Sequence, residues 1–177
     1  MKSISLFNEL FEKIDGDVVK FTDKAKDSQL SIGNIKYETK VPSLERMCYI
    51  MESVVLNGGK KQGDVYAGFQ KISRAEAIWD RFLKMADNVD NLYVFGERDK
   101  LLPSHQNIKF VYLPKNHPLV REWFLVLDIK YMRNMMTAYD LDGFGVKPLE
   151  LDRNFKGAKT VNSKIIDEAV ALLKQVI

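Results

Sequence analysis

Trp123-Phe124-Leu125-Val126-Leu127 is an unbroken apolar run with Glu122 before it and Asp128 after it. Five residues are too few for a buried helix, and the lack of alternation argues against a strand with one wet face. The run reads as a central strand covered on both faces. Such a strand needs packed layers on either side, and the rest of the chain must supply them. Val65 to Gln70, Leu92 to Gly96 and Ile108 to Leu113 read as further short strands. Gly68 lies inside the first of them, where a glycine often marks a bulge or the close approach of another group.

Helical stripes flank these strands. Leu6, Phe7, Leu10, Phe11 and Ile14 share one helix face, with Ser3 or Ser5 as N-cap and Asp15-Gly16 as a stop. A weaker stripe, Val18, Phe21 and Ala25, runs on toward Ser31-Ile32-Gly33-Asn34. After Pro42, Ser43 is placed to cap a helix whose apolar face is Leu44, Met47, Cys48, Met51, Val54 and Val55, ended by Asn57-Gly58-Gly59. Ser73-Arg74-Ala75-Glu76 has capping-box spacing and predicts a helix burying Ala75, Ile78, Trp79, Phe82 and Ala86. Asn162 caps a last helix with Ile165, Ile166, Ala169, Val170, Leu173 and Val176 inward. The spacing of Tyr131, Met132, Met135, Met136 and Tyr139 favours a helix; a hairpin return with 135–141 as a strand is the alternative. The expected fold class is α/β (or α+β), one mixed sheet of about four to six strands flanked by helices. Residues 1–35 form an N-terminal helical extension and 36–177 the domain proper.

At 177 residues the chain has room for one sizeable core. A single cysteine, Cys48, excludes an internal disulfide and a cysteine-built metal site, and its place on a helix's apolar face suits a buried small hydrophobe. No apolar run reaches the roughly 18–20 residues that span a bilayer. The opening MKSISLFNELFEK is charged too early for a secretory signal, so a cytoplasmic protein with no membrane partner is expected. A net charge of +3 gives no argument for a nucleic-acid partner.

Local motifs decide less. Asn57-Gly58-Gly59-Lys60-Lys61-Gln62-Gly63 lacks the hydroxyl and the preceding strand of a phosphate loop. Asp140-Leu141-Asp142-Gly143 starts like a calcium loop but puts Phe144 and Leu151 where acidic ligands are needed. Gly96-Glu97-Arg98-Asp99-Lys100 follows a strand, where open sheets often bind ligands, or is a solvated turn. Arg153, Lys156, Lys159 and Lys164 are a candidate anion or acidic-partner patch, with a solvated face as the plainer reading. His105 and His117 stand in proline-flanked loops with no partners at catalytic or metal-ligand spacing, so no catalytic residue, metal ligand or cofactor is assigned.

Taken in order, several segments resemble the DICT sensory domain of diguanylate cyclases and two-component systems. They are Lys40 through Leu44 to Met51-Glu52, Tyr66-Ala67-Gly68-Phe69-Gln70, Arg81 to Ala86, Val94-Phe95-Gly96, Pro118 to Asp128, Ala138-Tyr139-Asp140, and Arg153-Asn154-Phe155-Lys156-Gly157 with Thr160. Two positions depart from the pattern: Asp140 stands where Glu is commoner and Asn162 where Asp is common. The resemblance implies a non-catalytic signal-input module, usually joined to a cyclase, a histidine kinase or a DNA-binding output; a light response is suggested for the family. No output segment is recognisable among these residues, so a separate output protein, or one in a longer chain, is the expected partner.

On that reading a small ligand binds beside the strands at Phe69, Gln70, Phe95, Gly96, Glu122 and Trp123. Gln70 and Glu122 supply polar contacts, Phe69 and Trp123 the walls, and Gly68 and Gly96 let the backbone approach. Plain core packing is the competing account of Phe69 and Trp123. Two other classes remain: a small enzyme acting on a nucleotide or phosphorylated metabolite through Asp128, Asp140 or Glu97, and a partner-binding domain, including a homodimer, using the N-terminal helix.

Overall fold

Residues 1–177, all described by a computed structural model, form five α-helices and eight strands. In chain order they are α1 (Leu6–Leu10), β1 (Val18–Lys20), α2 (Asp27–Leu30), β2 (Ile35–Lys40), α3 (Val41–Leu56), β3 (Gly63–Lys71), α4 (Trp79–Asp87), β4 (Asn91–Glu97), β5 (Ile108–Leu113), β6 (Glu122–Ile129), β7 (Met132–Asp140), β8 (Asn154–Thr160) and α5 (Ser163–Leu173). The strands make one mixed sheet in the order β1-β2-β8-β7-β6-β3-β4-β5. Pairs β1–β2, β3–β4 and β4–β5 are parallel; β2–β8, β8–β7, β7–β6 and β6–β3 are antiparallel.

The apolar run forms the middle of β6, and its alternate residues feed two separate cores. Trp123, Leu125 and Leu127 pack into a cluster with Leu44, Met47, Met51 and Val55 of α3 and with Phe82 and Met85 of α4. Phe124 and Val126 join Leu6 and Leu10 of α1 and Ile166, Ala169 and Leu173 of α5. The α/β expectation therefore holds as a sheet with helices on both faces, but with eight strands in place of four to six.

The extra strands come from three places. Residues 132–140 are β7, the hairpin return and not the helix. Lys130-Tyr131 makes a two-residue turn, Tyr131 has a left-handed φ of 67°, and Ile129 pairs with Met132. Met136 and Ala138 face the α3/α4 core while Met135 faces the α1/α5 core, and burial on both faces erases the alternation that marks a strand. The weak stripe at Val18 to Ala25 is β1, exposed along its length, followed by a turn into α2. β8 carries Lys156 and Lys159, for which a solvated face is the plainer reading, and its neighbour β2 carries Lys36. Lys36 and Lys159 are buried in fact, and Lys36 and Lys156 both lay their ammonium ends over the Phe11 ring, at 4.8 and 5.2 Å.

Two expected caps also move. Ser43 lies inside α3, which begins at Val41 with Pro42 in its first turn. Ser73 does not cap α4: its N–H donates to Asp99 at 2.9 Å and its hydroxyl bonds the other oxygen of the same carboxylate. Held there, residues Ile72–Ile78 form a 3-10 stretch and α4 starts only at Trp79. Ser5 and Asn162 do cap α1 and α5, accepting from Asn8 at 3.0 Å and from Lys164 at 3.0 Å.

Candidate functional site

A cavity of about 560 Å³ lies between the sheet and the pair α3/α4. Its floor is Ala67 and Phe69 from β3 with Trp123 and Leu125 from β6, the residues whose side chains leave the sheet on that side. Cys48 and Glu52, one turn apart on α3, meet Arg81 and Phe82 of α4 to form the roof. Phe82 meets the Phe69 ring edge-on at 5.1 Å. The late start of α4 leaves the mouth, edged by Glu45, Tyr49, Arg74, Ala77 and Ile78.

Polar groups around the cavity are mostly committed. Glu52 is buried, and its carboxylate takes a hydrogen bond from Arg81 Nε at 2.6 Å. Burial raises the Glu52 pKa, and Arg81 offsets part of that rise. The Arg81 guanidinium also donates to the Tyr49 carbonyl at 3.0 Å and lies 3.8 Å over the Tyr49 ring. Arg46 donates to the Ala25 carbonyl at 2.7 Å and pairs with Asp27. Burial pushes the Cys48 thiol well up, and the Glu52 charge adds to this, so the sulfur is a neutral wall and not a nucleophile. Arg74 differs: it has no hydrogen-bond or ion-pair partner, and its guanidinium lies 5.3 Å over Trp123 and 5.4 Å over Phe144.

Beyond the mouth, a buried polar knot closes that end of the sheet. Gln70 Nε2 donates to Asp140 at 3.1 Å, and Arg153 donates to Gln70 Oε1 at 3.1 Å and to the same Asp140 oxygen. Asp140 and Arg153 are both fully buried. The other Asp140 oxygen accepts from the N–H groups of Asp142 and Gly143 at 3.1 and 2.8 Å, which makes the 140–143 segment a turn. Gln70 adopts a left-handed φ of 67° where the β3–β4 register shifts. A non-glycine residue there stores strain, which these hydrogen bonds hold in place.

On the opposite face Glu122 is fully buried against the N-terminal segment. Its carboxylate accepts from the Ser5 hydroxyl, from Phe7 N–H at 3.1 Å and from Thr137 Oγ1 at 3.2 Å. Burial pushes its pKa up to about 7 against the pull of those donors.

The six residues singled out from sequence are thus not brought together in one site. Phe69 and Trp123 line the cavity. Gln70 belongs to the knot, Glu122 anchors the N-terminal segment, and Phe95 packs against Phe124 in the α1/α5 core at 5.5 Å. The groups approaching the two glycines are the protein's own: a Cβ at Gly68 would overlap the Phe124 ring, and one at Gly96 would meet Ile72 at 3.2 Å. Arg74, Arg81 and Glu52 line the cavity without having been singled out for it. Glu52 and Arg81 could have been found from their helical spacing beside Cys48 and Phe82 and from the family-like segments that contain them; Arg74 carried no such signal.

Other candidates separate too. Asp128 and Asp140 stand at opposite ends of the β6–β7 hairpin, and Asp128 is paired with Arg133 at 2.9 Å. Asp99 and Lys100 tie the 96–100 loop to Ser73 and Glu76. Neither the candidate basic patch nor the plainer solvated face holds for Arg153 and Lys159, which are buried, Lys159 donating inward to the Leu30 carbonyl at 3.2 Å. No group of three or more His, Cys, Asp or Glu side chains is placed to hold a metal ion. No helix is long and apolar enough to cross a membrane.

Fold and cavity define a class: a single-sheet α/β domain, helices on both faces, with a cavity of small-molecule size under one helical layer. The family model described as the sensory domain in diguanylate cyclases and two-component systems, DICT, matches residues 29–141. The chain belongs to the DICT family, a sensory domain of signalling proteins. No curated protein matches the chain. Among solved structures, a polyphosphate kinase from Porphyromonas gingivalis is similar over 75% of this chain and 21% of its own, with 12% identity and a TM-score of 0.48. The chain therefore spans about a fifth of that kinase's length.

Proposed function

We propose that this chain is a non-catalytic cytoplasmic signal-input unit that binds a small molecule in the cavity between the sheet and α3/α4 and passes that state to an output protein. The output would be of cyclase, kinase or transcription-regulator type, since those are the settings in which the family's sensory domains work. Residues 36–177 would be the sensory unit and residues 1–35 a segment added to it. The observation that carries the reading is the cavity of about 560 Å³ in a sensory-family domain. Small-molecule sites commonly enclose roughly 300–1,000 Å³, are largely apolar, and hold a few placed polar groups. A ligand that binds one conformation better than another shifts the population offered to the partner, and no chemistry is required of it.

The test is native mass spectrometry of the purified protein, joined to a thermal-shift screen of metabolites. A retained small molecule, or a saturable stabilisation, is expected. Ala77→Trp, at an exposed position on the rim, should abolish it by filling the mouth. Binding that survives both Ala77→Trp and Trp123→Leu would move the site elsewhere.

A further inference from the structure

Five charged side chains line the cavity: Glu45, Arg46, Glu52, Arg74 and Arg81. Three are already satisfied, Glu52 with Arg81 and Arg46 with Asp27. Glu45 is exposed on α3, where water and salt screen it. Arg74 is the remaining cation, half-buried, with five donors and no protein acceptor.

Its surroundings sharpen this. Burial lowers the Arg74 pKa, the nearby Arg153 charge lowers it further, and the Glu45, Glu150 and Asp140 charges offset part of this without hydrogen-bonding the guanidinium, so an anion in contact with it would add to its stabilisation. Arg153 cannot supply that contact, being a cation itself, and the Asp140 carboxylate bonds Arg153 and Gln70. The Arg74 guanidinium lies within cation–π distance of two rings, 5.3 Å from Trp123 and 5.4 Å from Phe144, which hold it near the cavity mouth. A planar fork held at a cavity mouth suits bidentate contact with a carboxylate or phosphate. Below it, Phe69 and Trp123 present the small parts of their rings left exposed, with Phe82 fully buried behind Phe69, an aromatic surface that favours a flat, polarizable body.

From this juxtaposition we propose that the cavity binds a flat aromatic or conjugated molecule bearing one anionic group, the rings lying against Phe69 and Trp123 and the anion on Arg74. The assignment rests on the cavity reading above and adds the ligand's chemistry to it.

Isothermal titration with four probes of one shape tests it: 2-naphthoate, 2-naphthyl phosphate, neutral 2-naphthamide and cationic 2-naphthylmethylammonium. Both anions should bind at least about tenfold tighter than the amide, as a charge-assisted bond implies, and the cation more weakly still. Whichever anion is preferred distinguishes a carboxylate ligand from a phosphate one. Arg74→Gln should erase the preference, and Arg74→Lys should keep part of it. Because Arg74 makes no hydrogen bond within the protein and only its ring contacts are lost, both variants should unfold close to the wild-type denaturant midpoint. An amide or cation that binds as tightly as the anions overturns the assignment, as does an anion preference that survives Arg74→Gln. Failure of all four probes also overturns the assignment of an aromatic anion, whereas the cavity reading itself falls only if probe binding survives both Ala77→Trp and Trp123→Leu.

Discussion

The two faces of the sheet are built from the same strands and differ in how they are closed. On the α1/α5 face, Leu6, Leu10, Ile166, Ala169 and Leu173 are buried, and the polar group that intrudes, Glu122, is met by three donors. On the α3/α4 face the helices cover the sheet incompletely. Ser73 is held by Asp99, the chain runs as a 3-10 stretch, and α4 starts too late to cover Trp123 and Phe69 fully. One face spends its polar groups on holding itself shut. The other leaves the Arg74 cation and parts of the Phe69 and Trp123 rings beside open volume.

Breaking the knot beyond the cavity mouth should have the largest effect. Arg153→Ala leaves the buried Asp140 carboxylate without its counter-ion and should cost about 3–5 kcal/mol, read by urea unfolding. A loss below about 1 kcal/mol would mean that the knot does not fasten that end of the sheet.

The closed face should show a pH signature. Folding raises the Glu122 pKa from 4.5 to about 7, so the folded state binds more protons than the unfolded state between those values. Its contribution is complete below about pH 4.5 and is lost as pH rises through 7, a change of about 3 kcal/mol against stability. Unfolding of wild type and Glu122→Gln across that window isolates the effect: the difference between the two should vary with pH. Parallel curves would show that the carboxylate titrates as it does in the unfolded chain.

Smaller still is Ser5→Ala, which removes the cap of α1 and one donor to Glu122, and should cost about 1 kcal/mol. Hydrogen exchange should then speed up across residues 4–14 and leave α3 unchanged. The least effect on stability is expected at the open face, where Arg74→Gln should shift unfolding by under about 0.5 kcal/mol. A cost near that of Ser5→Ala would show that Arg74 is a structural group, and the contrast between the faces would weaken.

The sequence announced the elements that carry their own pattern. The run at 123–127 implied a strand covered on both faces, and the apolar faces of α3 and α5 were visible at helical spacing because each buries one side only. β7 was legible only as the second choice, the hairpin return, because burial on both faces left its methionines at a spacing that imitates a helix. β2 and β8 were hidden because their lysines bury their stems, and in Lys159 the whole side chain. The site was legible in its apolar part, Phe69 and Trp123, whose strands were identified correctly. Its polar part was not, because partner choice depends on the fold: Gln70 and Glu122 are engaged elsewhere, and Arg74 lay within what reads as a capping box.

Glu122 and Trp123 are neighbours on β6 whose side chains leave on opposite sides of the sheet. One planar peptide, about 3.8 Å between α-carbons, joins a wall of the cavity to the anchor of the N-terminal helix. A rigid displacement of that strand is therefore a displacement of both surfaces at once. The lever arm is a single residue long, and the sheet that separates the two helical layers is also their shortest connection.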